Sequence, residues 1–506
     1  MSKYIAYDLG TGGVKASLFD DRLGTLAKTF MEYGTYYPED NMHEQRPEDW
    51  WEAVTRSTRE LLAVSGSTPE DVAAVAISGH SLVAVPVGGE GELLLEQVPI
   101  WSDTRAKEEA KAFFDIINEE AWYMDTGNGF PAPCYSVFKI MWLKRHLPDV
   151  FKRIRIVLGS KDYINYRLTG NCFTDHSYMS GSGVYSLKAG RIEKGYLDAA
   201  GICGDIFPPI VQSHEIIGRI SREAAGEMGL AEGTPVACGG VDNACMALGA
   251  VGAVDGGVYT SLGSSSWIAV NSHEPVLDVR ERPYVFAHIQ EGMFTSAYSI
   301  FAGGSSLRWV RDTICHDLAE AEDPYMEMTR EAGTVPIGSG GIFFNPSLAG
   351  GTSQDQSVNI RGAFVGLHLG TTRAHMIHAA MEGIAMNLKC SYDSLKRQVE
   401  LAPQLQFCGG GSKNKYWMQM FADIFACRIL KTNIDQDAAS LGAAAIAARA
   451  AGAWEDYSGI TGLHETEFIC IPNPDAVEQY AGLLPGFMHV SGVLCSLGDY
   501  LKEKQR

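Results

Sequence analysis

The sequence predicts an α/β protein made of two related units, and three observations carry that prediction. Helical patterns (Pro47 to Ala63, Ala106 to Ile117, Val137 to Arg145) alternate with short apolar strands (Val72 to Ile77, Ile154 to Leu158, Val236 to Cys238), as expected where helices flank mostly mixed sheets. A hairpin with a glycine-rich tip occurs twice. Glycine is in excess, 55 of 506 residues against 20 prolines, which marks special backbone sites rather than disorder.

The first hairpin pairs Tyr4-Ile5-Ala6-Tyr7 with Val14-Lys15-Ala16-Ser17-Leu18-Phe19 across the turn Asp8-Leu9-Gly10-Thr11-Gly12-Gly13. Val14, Ala16 and Leu18 share one face by the strand period of two. The same grammar returns in the second half, where Val258-Tyr259-Thr260-Ser261 leads through Leu262-Gly263-Ser264-Ser265-Ser266 into Trp267-Ile268-Ala269-Val270. Residues 247–257, small and glycine-rich, precede this second copy. The boundary is therefore expected near residue 248, giving domains 1–247 and 248–506, the latter ending in a helical tail.

Charge narrows the partners. With 41 Lys+Arg against 61 Asp+Glu the formal net charge is −20, which argues against nucleic acid and anionic membrane surfaces, since both need a basic footprint. A local anion pocket remains compatible with it. Leu441 to Trp454, taken as the longest apolar stretch, is too short to span a bilayer, and the start of the chain lacks the apolar core of a signal peptide. A cytoplasmic protein is expected. Eleven cysteines without a Cys-x-x-Cys pair suit reduced thiols better than a disulfide framework or a zinc site.

Five segments could carry chemistry. In Asp8-Leu9-Gly10-Thr11-Gly12-Gly13 successive N–H groups can approach an anion, Thr11 adds a hydroxyl, and Asp8 can hold a hydrated Mg²⁺ on nucleotide phosphates; the plain alternative is a hairpin turn. Gly263 and Ser264 repeat the arrangement. Gly239-Gly240-Val241-Asp242-Asn243 follows a strand and can aim the Asp242 carboxylate at an alcohol attacking a γ-phosphate, or Asp242 or Asn243 simply caps the next helix. Cys408-Gly409-Gly410-Gly411-Ser412-Lys413-Asn414 lets a flat base or ribose lie on bare backbone near a helix start, or is a loop. Trp101-Ser102-Asp103-Thr104-Arg105 can read sugar hydroxyls, or forms a surface ion pair. Trp50-Trp51 is expected in the core. No Gly-x-x-x-x-Gly-Lys-Ser/Thr, Gly-x-Gly-x-x-Gly, His-Glu-x-x-His or Gly-x-Ser-x-Gly run occurs, which removes the usual warrants for P-loop, dinucleotide, zincin and α/β-hydrolase readings.

In order and spacing these segments, with Lys161-Asp162-Tyr163, Ser136 to Leu143 and Gly362 to Glu382, resemble the FGGY carbohydrate kinases. The resemblance runs from Tyr4 to about Ala451. It implies two actin-like (ribonuclease H-like) ATPase domains with ATP and Mg²⁺ in the cleft between them and a sugar or polyol deeper, mainly on the first domain. Asp242 then becomes the catalytic base. Asp8 organises Mg²⁺; Gly10, Thr11, Gly12, Gly13, Gly263 and Ser264 face the phosphates; Gly410, Gly411 and Asn414 flank the adenosine. The sugar falls to His80, Ser81, Trp101, Asp103, Arg105, Asp242 and Asn243. The family habit implies a homodimer.

Three departures bear on the substrate. Leu82 stands where xylulokinases have a sugar-contacting His, with His80 as the neighbouring candidate to replace it. Asn345 to Thr352 replaces the family's Gly-Glu-Arg segment, and Ser264 stands where Thr is frequent. The resemblance implies phosphorylation of a ketopentose such as D-xylulose to the 5-phosphate, with another ketose, a sugar acid or a polyol as the alternative. A conformational ATPase of the actin or chaperone kind would use the same clamp, but Trp101, Asp103, Arg105 and Asp242 favour a small polar substrate.

Overall fold

The computed structural model describes residues 2–318 and 320–504. Both predicted hairpins form. Lys3–Leu9 (β1) pairs antiparallel with Gly13–Phe19 (β2), and β2 pairs antiparallel with Thr25–Glu32 (β3). Val72–Gly79 (β4) runs parallel to β1 on its other side. Ile216–Arg219 (β5) and Pro235–Ala237 (β6) complete the sheet in the order β5-β6-β4-β1-β2-β3. Ile5, Tyr7, Leu9, Val14, Ala16 and Leu18 are all fully buried, so the hairpin read from sequence is the centre of the core.

A second sheet repeats the plan. Val258–Leu262 (β7) pairs antiparallel with Ser266–Ser272 (β8), which adjoins Phe294–Ile300 (β9). Gln404–Cys408 (β10) lies parallel to β7, Arg428–Thr432 (β11) parallel to β10, and Thr466–Cys470 (β12) antiparallel to β11. A hairpin, a third strand on one side and parallel strands on the other is thus built twice from one chain.

The chain divides into two units that are interleaved in sequence. The first holds the chain up to Ala253 with His273–Thr295 and Asp437–Leu463; the second holds Val254–Ser272, Ser296–Gln436 and the chain from His464 onward. A single cut near residue 248 does not describe them. The cause is the packing of the helix Ala438–Ala450, which is buried almost throughout, on the helix Asp242–Val251. A Cβ on Gly249 would stand 1.8 Å from the Ala438 carbonyl oxygen, and one on Gly442 would stand 2.0 Å from that of Cys245. Asp437, at the start of the later helix, pairs with Lys15 of β2 at 3.4 Å and with Lys28 of β3. Local patterning shows these helices but not which sheet a helix joins.

The first unit carries a further core beyond its sheet. Leu82, Ala106, Phe113, Trp122, Tyr135, Phe138 and Val285 form it, and Trp101 packs on both cores. Trp50 and Trp51 are buried, as expected.

The predicted tail is the helix Pro474–Lys504, which runs through Pro485. It corrects the sequence reading of apolar stretches: residues 481–498, free of Asp, Glu, Lys and Arg, are longer than Leu441 to Trp454. By length and composition alone this helix could cross a membrane. It packs on the helices Lys415–Phe425 and Arg373–Lys396 of its own unit.

The helix crossing gives a direct test. Gly442→Ala forces a methyl into the Cys245 carbonyl and is expected to cost about 1–3 kcal/mol by overpacking, read as a lower midpoint in urea unfolding. Gly452→Ala relaxes no such contact and has open space around it, but its positive φ of 75° makes it a strain control rather than a packing one.

Candidate active site

The Gly239-Gly240 turn decides where Asp242 stands. Gly239 has φ 76°, and a Cβ there would lie 2.1 Å from the Ile77 carbonyl oxygen of β4. Only glycine fits so close a pass. Gly240 and Val241 then pair alongside Ser78 and Gly79, and the helix Asp242–Val251 begins at once. The capping expected of Asp242 or Asn243 is not what forms: Val241 holds the cap position without a side-chain bond, and Asp242 is the first helical residue. Its carboxylate accepts the Asn243 N–H at 2.8 Å.

Asp242 and Asn243 both remain within reach of solvent. Burial and then the charge of Asp8 push the Asp242 carboxyl up to about 7. A carboxylate with that proton affinity is suited to accept a proton near neutral pH. Asp8 sits on β1 and accepts the Ser78 hydroxyl at 3.1 Å; burial raises its pKa too, against the pull of Lys15. Among the described residues no group of three or more His, Cys, Asp or Glu is placed to hold a metal. One or two carboxylates completed by phosphate oxygens and waters is nevertheless an ordinary Mg²⁺ site, so Asp8 fits that ion.

The first hairpin tip is fixed by its carbonyls. The Gly10 N–H bonds the Gly13 carbonyl at 3.1 Å, Tyr33 donates to the Gly10 oxygen, and Gln45 donates to that of Thr11 at 2.6 Å. The carbonyl oxygens of Gly10, Thr11 and Gly13 are thus engaged, and the Gly10 N–H is committed inside the turn. Trp101 donates its indole N–H to the Thr11 hydroxyl at 2.9 Å, joining two segments that the sequence kept apart.

The Asp103–Arg105 pair is not on the surface. Asp103 is fully buried, and its carboxylate takes the Arg105 guanidinium, the Arg105 N–H and the His43 N–H. Arg105 also reaches Glu44 at 2.7 Å and lies over the Trp142 ring. The surface alternative is therefore corrected: this pair is a buried brace, and Trp101 is the more accessible part of the motif.

His80 and Ser81 are buried as well. The Leu9 carbonyl can only accept, so His80 bonds it through Nδ1–H at 3.0 Å, and Nε2 has no hydrogen-bond partner among the described residues. Burial pulls the imidazole down to about 4, so it is neutral at pH 7. Leu82 follows in the left-handed region, φ 62°. Its carbonyl and that of Ile100 both receive the ammonium of Lys139, at 2.7 and 2.6 Å.

In the second unit the tip and the triple-glycine turn adjoin. A Cβ on Gly409, φ 89°, would stand 2.8 Å from the Leu262 carbonyl, and one on Gly411 would stand 2.6 Å from the Leu262 side chain. Ser264 at the tip and Gly410 are open to solvent, and Gly263 is partly so. Asn414 caps the helix Lys415–Phe425 through the Trp417 N–H and donates to Thr329 at 2.6 Å. Three partners were not anticipated. The Gly304 and Ser305 N–H groups bond the Gly263 and Ser264 carbonyls at 2.9 Å, and Arg308 donates to the Ser264 hydroxyl at 3.2 Å. The Gly303-Gly304 pair at a helix start was the available signal.

Known proteins share this fold along nearly the whole chain. Residues 3–249 match the FGGY family of carbohydrate kinases, N-terminal domain, and residues 258–451 the C-terminal domain of the same family. A xylulose kinase of Bacillus subtilis (strain 168) is 29% identical over 457 residues, covering 90% of this chain and 89% of its own. A gluconokinase of the same strain is 26% identical over 513 residues, 100% and 99% of the two chains. Among solved structures, a ligand-bound xylulose kinase from Lactobacillus acidophilus superposes with a TM-score of 0.89 at 26% identity over 98% of each chain. A gluconate kinase from the same organism gives 0.90 at 25% over 99% of each. The fold is the two-domain, actin-like ATPase fold of these kinases.

The raised affinity of Asp242 for a proton has a stability consequence. Between pH near 4 and about 7 the folded chain holds a proton that the unfolded chain has released. Its stabilising contribution is therefore complete at low pH and is lost as pH rises through 7. Asp242→Asn is expected to raise the thermal midpoint at pH 8 and to change it much less at pH 5. Equal shifts at the two pH values would contradict this.

Proposed function

The chain belongs to the FGGY family of carbohydrate kinases, and on that premise we propose that it phosphorylates a ketopentose such as D-xylulose at the 5-hydroxyl, with ATP as donor and Mg²⁺ as metal. It is a sugar kinase, and kinases of this family use ATP. The observation that carries the reading is Asp242. It stands on a glycine turn in the first unit, half-buried, with its carboxyl raised to about 7. The choice of ketopentose is supported by the first relatives compared, which are xylulose kinases; the gluconokinases keep a sugar acid as the competing substrate.

In the proposed reaction the sugar hydroxyl gives its proton to Asp242 as its oxygen bonds to the γ-phosphorus. The bond from that phosphorus to the bridging oxygen breaks, and ADP leaves. Little covalent help is needed, since phosphoryl transfer depends on position and charge neutralisation. In the first unit the N–H groups of Thr11, Gly12 and Gly13 are assigned to phosphate oxygens, while that of Gly10 holds the turn through the Gly13 carbonyl. In the second unit Gly263, Ser264 and the Arg308 guanidinium are assigned likewise, and Gly410 and Gly411 to the nucleoside, Asn414 holding the helix beside them. Asp8 would hold Mg²⁺, which when bound neutralises phosphate charge. Trp101, Asp242 and Asn243 are residues assigned to the sugar with solvent access; His80, Ser81, Asp103 and Arg105 act from behind, fixing the backbone that faces it.

The test is ATP turnover against a panel containing D-xylulose, L-ribulose, D-ribulose, D-gluconate and glycerol. Strong stimulation by D-xylulose is expected, and strongest stimulation by gluconate would replace the ketopentose by a sugar acid. Asp242→Ala is expected to bind ATP nearly normally and to lose sugar-dependent turnover on the order of 10³-fold. Full turnover in that variant would remove Asp242 as the base.

A further inference from the structure

Behind the Asp242 turn lies a buried charged cluster that the reaction as described does not use. Lys161, Asp162, Asp175 and Ser177 are all 1% exposed or less. The Lys161 ammonium lies 2.6 Å from Asp162 and 3.1 Å from Asp175. Burial works against its charge, but the carboxylates of Asp162 and Asp175 outweigh burial and hold Lys161 protonated. Asp175 in turn accepts the Ser177 N–H at 3.0 Å, the Ser177 hydroxyl, and the Ser213 hydroxyl at 2.9 Å.

The cluster ends on the turn. The Ser177 hydroxyl, having given its proton to Asp175, accepts the Val241 N–H at 3.0 Å, and Val241 is the residue before Asp242. On the strand side the Cys238 carbonyl receives Lys161 at 3.2 Å and Asn165 at 2.8 Å. The Cys238 and Gly239 N–H groups bond the Glu215 and Ser213 carbonyls at 2.9 Å. Main-chain groups of Cys238, Gly239 and Val241 are thus held from three separate stretches of chain. A buried ion pair of this kind is weak evidence for stability, since desolvation offsets its attraction. Its direction is more informative. Ser177 is the one member of the charged set that touches the segment between the glycines and Asp242.

We infer that Ser177 and Asp175, braced by Lys161, are positioning residues: Asp175 orients the Ser177 hydroxyl, and that hydroxyl fixes the Val241 amide and with it the direction in which Asp242 presents its carboxylate. The inference rests on Asp242 being the base. A misplacement of about 1 Å in a reacting group costs on the order of 10²-fold in rate, so loss of one such bond is visible in kcat while ground-state binding is spared.

The experiment compares Ser177→Ala, Ser213→Ala, Asp175→Asn, Asp242→Ala and the Ser177→Ala/Asp242→Ala pair, assayed with ATP and whichever panel compound the parent turns over fastest. Ser177→Ala is expected to lower kcat about 30- to 100-fold with KM for both substrates within about threefold. Ser213→Ala removes a bond to the same Asp175 oxygen without touching Val241 and is expected to keep kcat within about threefold. In the Asp242→Ala background Ser177→Ala should cost nothing further, because the group it positions is gone. A parent-like kcat in Ser177→Ala, or equal losses in Ser177→Ala and Ser213→Ala, overturns the positioning role while an inactive Asp242→Ala leaves the base in place. Full activity in Asp242→Ala overturns the base reading and this inference with it. Should Ser177→Ala not fold, the isosteric Asp175→Asn serves instead: a lowered kcat at unchanged KM supports the inference, and a parent-like kcat overturns it.

Discussion

At Gly239 the backbone passes β4 with no room for a side chain, a Cβ there lying 2.1 Å from the Ile77 carbonyl. The position of the acid depends on this approach. It lets Gly240 and Val241 run beside the end of β4, it starts a helix one residue later, and it brings Asp242 near enough to Asp8 on β1 for one carboxylate to raise the pKa of the other. The same economy recurs at Gly249 and Gly442, where the two central helices of the first unit meet through backbone. Part of the glycine excess is accounted for by steric necessity rather than by flexibility.

The chain is acidic overall, yet its buried cations do specific work, and two lysines show how environment decides their state. Lys139 faces the carbonyls of Leu82 and Ile100, whose dipoles only partly replace water, and burial pulls its pKa down to about 8. Lys161 faces two carboxylates, and its pKa stands well above the ordinary value. The first ties together the segments carrying Leu82 and Trp101. The second braces the turn below Asp242. Neither adds to a surface field, which is why net charge says little about them.

How much of this was legible in the sequence follows from the range of each signal. The hairpins, the strand Ile154–Leu158 and the helix beginning at Pro47 were visible because period and glycine punctuation are local. The turn before Asp242 was placed correctly, but its role as cap was not, because Val241 takes the cap position and Asp242 becomes the first helical residue. Asp103 and Arg105 were visible as a pair and not as buried, since Glu44 and His43, which complete them, come from far upstream. Arg308 and Gly304 were missed for the same reason. The helix Ala438–Ala450 was seen as apolar, but its membership of the first unit depends on Gly249 and Cys245, nearly two hundred residues earlier.

That membership has a consequence for the order in which the protein can be made. Domains ordinarily fold as units while the chain is being synthesised. Here the first unit lacks its helix Ala438–Ala450 until nearly nine-tenths of the 506 residues exist. The groove that this helix fills, floored by Cys245 and Gly249, stays uncovered while the second unit's strands emerge. The nascent chain must therefore carry an open apolar face from the completion of the helix Asp242–Val251 until Ala438–Ala450 is made, a period in which a chaperone holding that face has something definite to protect.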